Sequence, residues 1–271
     1  MTKNILEEIC KQKMKFASEL RNKFKYVGHW NDTIRELEDK NFFVNFKKKI
    51  ENNTKNNKLS IIAEIKKASP SAGILIKDYN PVKIANIYNK NKATCLSVLT
   101  EENYFQGNIN HIKQIKEKIK LPILCKDFFV DHFQVVQAKS YGADCVLIIM
   151  AMLGDSDAMS IYREALNYDM SVIVEVHTEQ DVYRLMNLDM SQALIGINNR
   201  NLETLKTDIN TTYAIHDLLR EKGFEGPLIS ESGIKTKDEL LELSNKTSIK
   251  TFLIGESLLK DLDNNSIFSV L

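Results

Sequence analysis

Residues 61–73 read IIAEIKKASPSAG. Ile61, Ile62, Ala63 and Ile65 have the composition of an interior strand, yet Glu64 and Lys66 stand among them. Side chains alternate along a strand. Ile61, Ala63 and Ile65 therefore share one face, and Ile62, Glu64 and Lys66 share the other. The apolar face suits a layer of helices. The mixed face then points to the inside of a closed sheet, with Glu64 and Lys66 towards the mouth at the strand's C-terminal end. Unpaired charges there are costly to desolvate, so acids and bases should pair.

The same kind of run recurs along the chain. LSIIAEIK (59–66) is followed by TCLSVLT (94–100), LPILCKDF (121–128), DCVLIIM (144–150), SVIVEVH (171–177), ALIGINNR (193–200), PLISES (227–232) and KTFLIGE (250–256). Short runs rich in Ile, Leu and Val are what parallel strands covered on both faces require. Helical patterns lie between them. NPVKIANIYNKN (80–91) puts Val82, Ala85 and Tyr88 on one stripe, and HIKQIKEKIK (111–120) repeats Ile at 112, 115 and 119. DHFQVVQAKSYGAD (131–144) ends with Gly142 as a C-cap, and TEQDVYRLMNL (178–188) opens on an N-cap threonine. Eight such units in about 200 residues predict an α/β fold, a (β/α)8 or TIM barrel. A doubly wound sheet is the alternative, but no glycine-rich dinucleotide loop follows the first strand.

The division expected is one barrel domain over 1–271, with a helical N-terminal extension at 1–58 and the barrel at 59–271. Residues 3–25 read as an amphipathic helix with Ile5, Ile9 and Phe16 inward, ENNTKNNK (51–58) as a solvated loop, and KKK (47–49) as a solvated helix face. The extension is expected to cover one end of the barrel, with Trp30 as an apolar anchor. With 37 basic and 36 acidic residues, the net charge of +1 gives no reason to expect nucleic acid or an anionic membrane as partner. No run of about 18 apolar residues marks a membrane span. The first residues, MTKNILEEICKQKMKF, lack the apolar core of a signal peptide, so a cytoplasmic protein is expected. The four cysteines have no CxxC spacing and the five histidines no HExxH spacing, so reduced structural thiols and no metal are expected.

The alternation seen at Glu64 repeats downstream. Leu124, Lys126 and Phe128 share a face, as do Ile173, Glu175 and His177, and Gly196, Asn198 and Arg200. Each run is apolar at its start and polar at its end, so several strands send charge to one mouth. For any one residue, a structural ion pair is the competing explanation; ion pairs need not cluster at one end, which favours a site for the set. A lysine crowded by another cation between low-dielectric walls loses pKa and can serve as a general acid. ISESGI (229–234) and LIGESL (253–258) place small residues after strands seven and eight, where barrels of this kind commonly bind phosphate. SPSAG (69–73) adds hydroxyls in a turn. Phe105, Phe128, Leu147 and Ile149 reach the same mouth as a wall for an aromatic ring, with core packing favoured for Ile149.

In this order IIAEIKKASPSAG, SVLTEENYFQG, LPILCKDF, VEVHTE, IGINNRNL, SESGI and LIGESL resemble the indole-3-glycerol-phosphate synthase family of tryptophan biosynthesis, over nearly the whole chain. The resemblance implies a carbon–carbon lyase that needs no cofactor or metal. It closes a ring in 1-(2-carboxyphenylamino)-1-deoxyribulose 5-phosphate, releasing CO2 and water. It implies Lys126 as the general acid on the substrate carbonyl and Lys66 as the holder of the anthranilate carboxylate. Glu175 would serve as acid and base in dehydration, and Glu64 would tune the lysines. Asn198 would position a ribulose hydroxyl, and Arg200, Glu231 and Ser232 would complete the polar shell. Ser69, Gly233, Gly255 and the backbone at Glu256 would bind phosphate, and Phe105, Phe128 and Leu147 would face the ring. The partner implied is a phosphorylated small molecule, bound by a monomer or at most a weak homodimer. Asn108 departs from the serine of many relatives, and Cys125 should face outward and be inert. A Schiff-base aldolase working through Lys126 or Lys66, and a catalytically silent phosphate-binding protein, are the competing readings.

Overall fold

The computed structural model describes residues 5–23, 27–40, 42–202, 204–262 and 266–271. Eight parallel strands close into a barrel: β1 (Ser60–Ile65), β2 (Cys95–Leu99), β3 (Ile123–Lys126), β4 (Cys145–Ile149), β5 (Ser171–Val176), β6 (Leu194–Asn198), β7 (Leu228–Glu231) and β8 (Thr251–Ile254). Each pairs with the next in sequence, and β8 closes on β1 through Ile62–Leu253 and Ala63–Ile254.

The alternation in β1 has the expected outcome. Ile61, Ala63 and Ile65 pack into an outer shell with helix residues such as Ile84 and Tyr88. Ile62 joins Cys95, Leu124, Cys145, Leu147, Ile173, Leu194, Ile229 and Leu253 in the barrel interior. Cys125 faces outward as expected, and burial pushes its thiol up to about 12. The helices of the ring are α4 (Pro81–Lys90), α5 (Asn110–Lys116), α6 (Phe133–Ser140), α7 (Asp155–Asn167), α8 (Glu179–Met186), α9 (Asn210–Glu221), α10 (Lys237–Thr247) and the short α11 (Glu256–Lys260). On α4 the buried stripe runs through Ile84 rather than the expected Val82, which is half-buried. Thr178 caps α8 in a reciprocal box with Asp181. Gly142 follows α6 at φ +94°, where an added Cβ would strike the Phe42 ring. Among the described residues no helix is long and apolar enough to cross a membrane.

The extension forms α1 (Ile5–Lys23), α2 (Val27–Asp39) and α3 (Phe46–Lys55). Two of these touch opposite ends of the barrel, where one end was expected. The α3 helix plugs the bottom: Phe46 and Ile50 enter the interior cluster, the Lys47 N–H donates to Ser171 Oγ, and Asn53 Nδ2 donates to Ser60 Oγ. Because those two apolar side chains are buried and the Asn45 side chain caps the helix, α3 continues through residues 51–55, which the sequence suggested were loop. Lys48 and Lys49 are exposed, as a solvated face requires. The α1 helix lies over the opposite end. Ile9 is buried there, whereas Phe16 is 38% exposed and does not face inward; Ala17 and Leu20 are the buried positions beyond it. Residues 3–4 and 24–25, and the Ile5 side chain, lie outside the described residues. Trp30 is half-buried on α2.

One buried ion pair ties the lower rim together. Lys116 Nζ lies 2.8 Å from Asp144 Oδ2, with both side chains 1% exposed, and Asp144 also accepts the N–H groups of Val44 and Ile123. Removing one partner leaves an uncompensated buried charge. Lys116→Ala is therefore expected to cost about 3–5 kcal/mol of stability, read from urea unfolding. A loss below about 1 kcal/mol, the range of surface pairs, would contradict this.

Candidate active site

The first strand carries its two charges to the mouth as a pair, with Lys66 Nζ 2.6 Å from Glu64 Oε1. The end of β3 brings Lys126 to the centre, with its Nζ 3.0 Å from Glu175 Oε2 on β5 and 3.9 Å from Glu231 Oε2 on β7. The barrel register sets the height of this group. Glu175 stands opposite Gly196, and Asn198 opposite Glu231. Asn198 Nδ2 donates to Glu175 Oε1 at 3.1 Å, and His177 Nε2 lies 3.1 Å from the same oxygen. Glu64, Lys66, Lys126, Glu175, Asn198, Arg200, Glu231 and Ser232 line one cavity, together with Phe105, Phe128 and Leu147. The structure thus brings together residues that span most of the barrel sequence.

The electrostatics separate the two buried carboxylates. Burial disfavours ionisation of Glu175, but the Lys126 ammonium, followed by His177 and Asn198, outweighs it and holds the pKa well below the ordinary value. Glu231 is pushed the other way, by burial and then by the Glu175 charge, well above the ordinary range. Neither Glu231 oxygen has a hydrogen-bond partner among the described residues. The two environments thus drive the carboxyl groups apart, Glu175 towards its charged form and Glu231 towards its protonated one, the pattern by which acid and base roles divide. Gly196 makes room for that acid, since an added Cβ would lie 2.0 Å from Glu231 Oε1.

Lys126 departs from the sequence expectation of a lysine with lowered pKa. Burial does work against its charge, but Glu175, Glu231 and Glu64 together raise its pKa above the ordinary lysine value. The neighbours are carboxyl groups, Glu175 foremost, rather than cations, so Lys126 rests as an ammonium.

Beside this chamber is a second cavity, which shares Glu64, Lys66, Arg200, Ser232 and Leu253 with it. Gly233, Gly255 and Glu256 line it, and Lys66, Arg200, Lys235 and Lys260 supply positive charge. Ser232 and Gly233 both have positive φ, +68° and +89°. A non-glycine residue there is strained, a condition that clusters at functional sites. Asn199 Nδ2 donates to the Ser232 carbonyl at 2.9 Å, holding the bend. Gly255 allows close approach, since a Cβ there would meet Glu64 Oε1 at 2.4 Å. The Glu256 carboxylate is paired with Lys260 at 2.7 Å, and that hydrogen bond helps hold its pKa low. Its charge would repel an anion, so only its backbone suits the role expected of it.

Ser69 lies in a small hairpin of residues 68–69 and 73–74, which the sequence did not suggest, and lines neither cavity. Its Oγ accepts the Ala72 N–H. Ser71, two residues on, reaches the site instead: Arg200 donates to its Oγ at 3.1 Å, linking the β1 loop to β6. On the apolar side, the Phe105 and Phe128 rings stand 6.1 Å apart at 42°. Ile149 both packs in the interior and lines the chamber. Glu101 fixes Phe105 by accepting the N–H groups of Asn103, Tyr104 and Phe105. Asn108 accepts the Asn110 N–H in the turn that leads into α5, a bond that a serine hydroxyl can also accept.

Sequence reasoning missed Ser71, Leu202, Lys235 and Lys260 as lining or bridging residues. Lys235 and Lys260 carried a signal, since each lies within five residues of a glycine already assigned to the phosphate end. Ser71 carried one too, as a hydroxyl of the SPSAG turn, whereas Leu202 carried none, because loop geometry alone brings it in.

Residues 6–270 match the family model described as indole-3-glycerol phosphate synthase. The chain is 41% identical to the indole-3-glycerol phosphate synthase of Prochlorococcus marinus subsp. pastoris, over 99% of this chain and 89% of that one. It is 37% identical to the enzyme of the same name from Zymomonas mobilis subsp. pomaceae, over 96% and 95%. Among solved structures it is similar to a tryptophan synthase subunit alpha from Legionella pneumophila, with a TM-score of 0.58, 16% identity, and coverage of 83% of this chain and 93% of that one. That last likeness speaks to the barrel alone.

Proposed function

The chain belongs to the indole-3-glycerol phosphate synthase family, and we propose that its barrel mouth carries out that family's ring closure in tryptophan biosynthesis. The substrate is 1-(2-carboxyphenylamino)-1-deoxyribulose 5-phosphate, and the reaction releases CO2 and water, which makes the protein a carboxy-lyase. The observation that carries this reading is the placing of Lys126. It is an ammonium held between Glu175 and Glu231, with an aromatic wall on one side and a cation-lined cavity on the other.

The phosphate enters the cavity of Gly233, Gly255 and the Glu256 backbone, drawn by Lys66, Arg200, Lys235 and Lys260. Ser69 acts by shaping the β1 turn that carries Ser71. The anthranilate ring lies against Phe105, Phe128 and Leu147, and Lys66 holds its carboxylate. As the ring carbon attacks the ribulose carbonyl, the oxygen becomes basic and takes the Lys126 proton. General acid help of this kind contributes about 10²–10⁴ in rate. The iminium formed on closure is stabilised by the Glu175 carboxylate in a site with little water. CO2 loss returns those electrons to the ring. The new hydroxyl then leaves as water with a proton from Lys66, Glu175 takes the proton from the adjacent carbon, and Asn198 holds the ribulose hydroxyl in line. Two protons are given and one is taken back, so each turnover draws one from solvent.

A Schiff-base aldolase needs a neutral amine, and the carboxylates around Lys126 keep it charged. The deciding experiment mixes purified protein with the anilino-ribulose phosphate. Indole fluorescence should rise, and borohydride should trap no covalent adduct. A borohydride-stable adduct without indole product would replace this reading with the aldolase. We also assign the protein to the cytoplasm as a monomer acting on this small molecule.

A further inference from the structure

We propose that Lys13, on the N-terminal helix outside the barrel, is a positioning residue for Lys126 and Phe128. This rests on the reaction proposed above.

Lys13 Nζ lies 2.5 Å from Asp127 Oδ1, and both side chains are only 12% exposed. Asp127 sits between the proposed general acid, Lys126, and the aromatic wall residue, Phe128. Its carboxylate is fully engaged: besides Lys13 it accepts Thr100 Oγ1–H at 2.6 Å and the Phe128 N–H at 2.8 Å. Thr100 also donates its backbone N–H to the Lys126 carbonyl at 3.1 Å. The Lys126 backbone is thus gripped on one side by Thr100 itself and on the other through Asp127.

Alternation directs Lys126 into the barrel and turns the Asp127 carboxylate to Lys13 on α1, although Asp127 also lines the edge of the chamber. A carboxylate in so dry a place needs a counter-charge, and Lys13 supplies it from more than a hundred residues away in sequence. The preceding residue acts on the other wall: Asn103 Nδ2 donates to Gln12 Oε1 at 2.8 Å, within the loop that carries Phe105. One turn earlier, Ile9 joins the apolar cluster that contains Phe128 and is flanked by Tyr104 and Phe105. One face of α1 therefore braces both aromatic rings and the strand end that carries Lys126.

Without Lys13, the carboxylate is left buried and unpaired and tends to move towards water. The Thr100 and Phe128 bonds loosen with it, and the general acid loses its fixed position. Misplacement on the ångström scale is enough to cost rate.

The test uses the full chain and the anilino-ribulose phosphate. Wild-type protein is assayed first: if it makes no indole product, the proposed reaction fails and the role of Lys13 falls with it. Given an active wild type, Lys13→Met and Lys13→Gln are each expected to lower kcat about tenfold, with KM changed less than about threefold. Lys13→Arg should restore most of kcat. In an Asp127→Asn background, which removes the charge to be neutralised, Lys13→Met should cost less than about twofold more. Amide hydrogen exchange across residues 124–130 should quicken in Lys13→Met, a readout independent of turnover. An unchanged kcat would overturn the proposal. So would an equal loss in the Asp127→Asn background, or an arginine variant as impaired as the methionine one; either would mark Lys13 as a general structural support.

Discussion

Lys126→Ala is expected to lower turnover by about a hundredfold or more while the protein stays folded. The side chain stands at the mouth and carries none of the interior packing, which is built from Ile62, Leu124, Ile173, Ile229 and Leu253 below it. Its loss removes the group proposed as the acid for the developing alkoxide. It also withdraws the largest influence favouring the Glu175 charge, so the Glu175 pKa should rise towards that of Glu231. Acid and base functions are then both impaired by one substitution. The check pairs steady-state indole formation with far-UV circular dichroism. A folded variant within about fivefold of wild-type turnover would remove Lys126 from the general-acid role.

Glu175→Gln should be comparably severe, about a hundredfold or more in kcat, and should leave a second mark. Glu175 is the foremost of the carboxylates raising the Lys126 pKa, and burial opposes them. When that anion is replaced by a neutral amide, the ammonium loses its main support and its pKa falls. Lys126 then gives up its proton at lower pH, so the alkaline limb of the kcat profile should move towards neutrality. In the wild type that limb should lie above the ordinary lysine range. The acid limb should carry no contribution from Glu175 above the ordinary carboxylate range, because its pKa is lowered. Profiles of variant and wild type with coincident alkaline limbs would show that Lys126 and Glu175 do not interact as the 3.0 Å contact implies.

Most of this site could be read before any coordinates, for a simple reason. Strand alternation is a rigid rule, and every strand of a closed parallel barrel sends its C-terminal end to one mouth. Glu64, Lys126, Glu175 and Asn198 each follow apolar residues of the same parity, so their convergence needed no alignment. The charge state did not follow from pattern. Glu175 and Glu231 look alike in sequence, and it is their surroundings that drive them apart: Glu175 has Lys126 at 3.0 Å with His177 and Asn198 beside it, while Glu231 has Lys126 only at 3.9 Å and the Glu175 charge nearby. Loop and extension residues were the least legible. Ser71 reaches Arg200, and Lys13 reaches Asp127, through turns whose course no periodicity encodes. Residues 51–55 look solvated by composition, yet they complete a helix because Phe46 and Ile50 are committed to the barrel floor.

The central claim is that separate strands build one chamber around a single substrate. A crystal structure with indole-3-glycerol phosphate bound tests it most directly. The phosphate is expected at Gly233 and Gly255, the indole against Phe105 and Phe128, and Lys126 within hydrogen-bonding reach of the glycerol side chain. A product seated elsewhere, with its phosphate away from those glycines and its ring away from Lys126, would contradict the account.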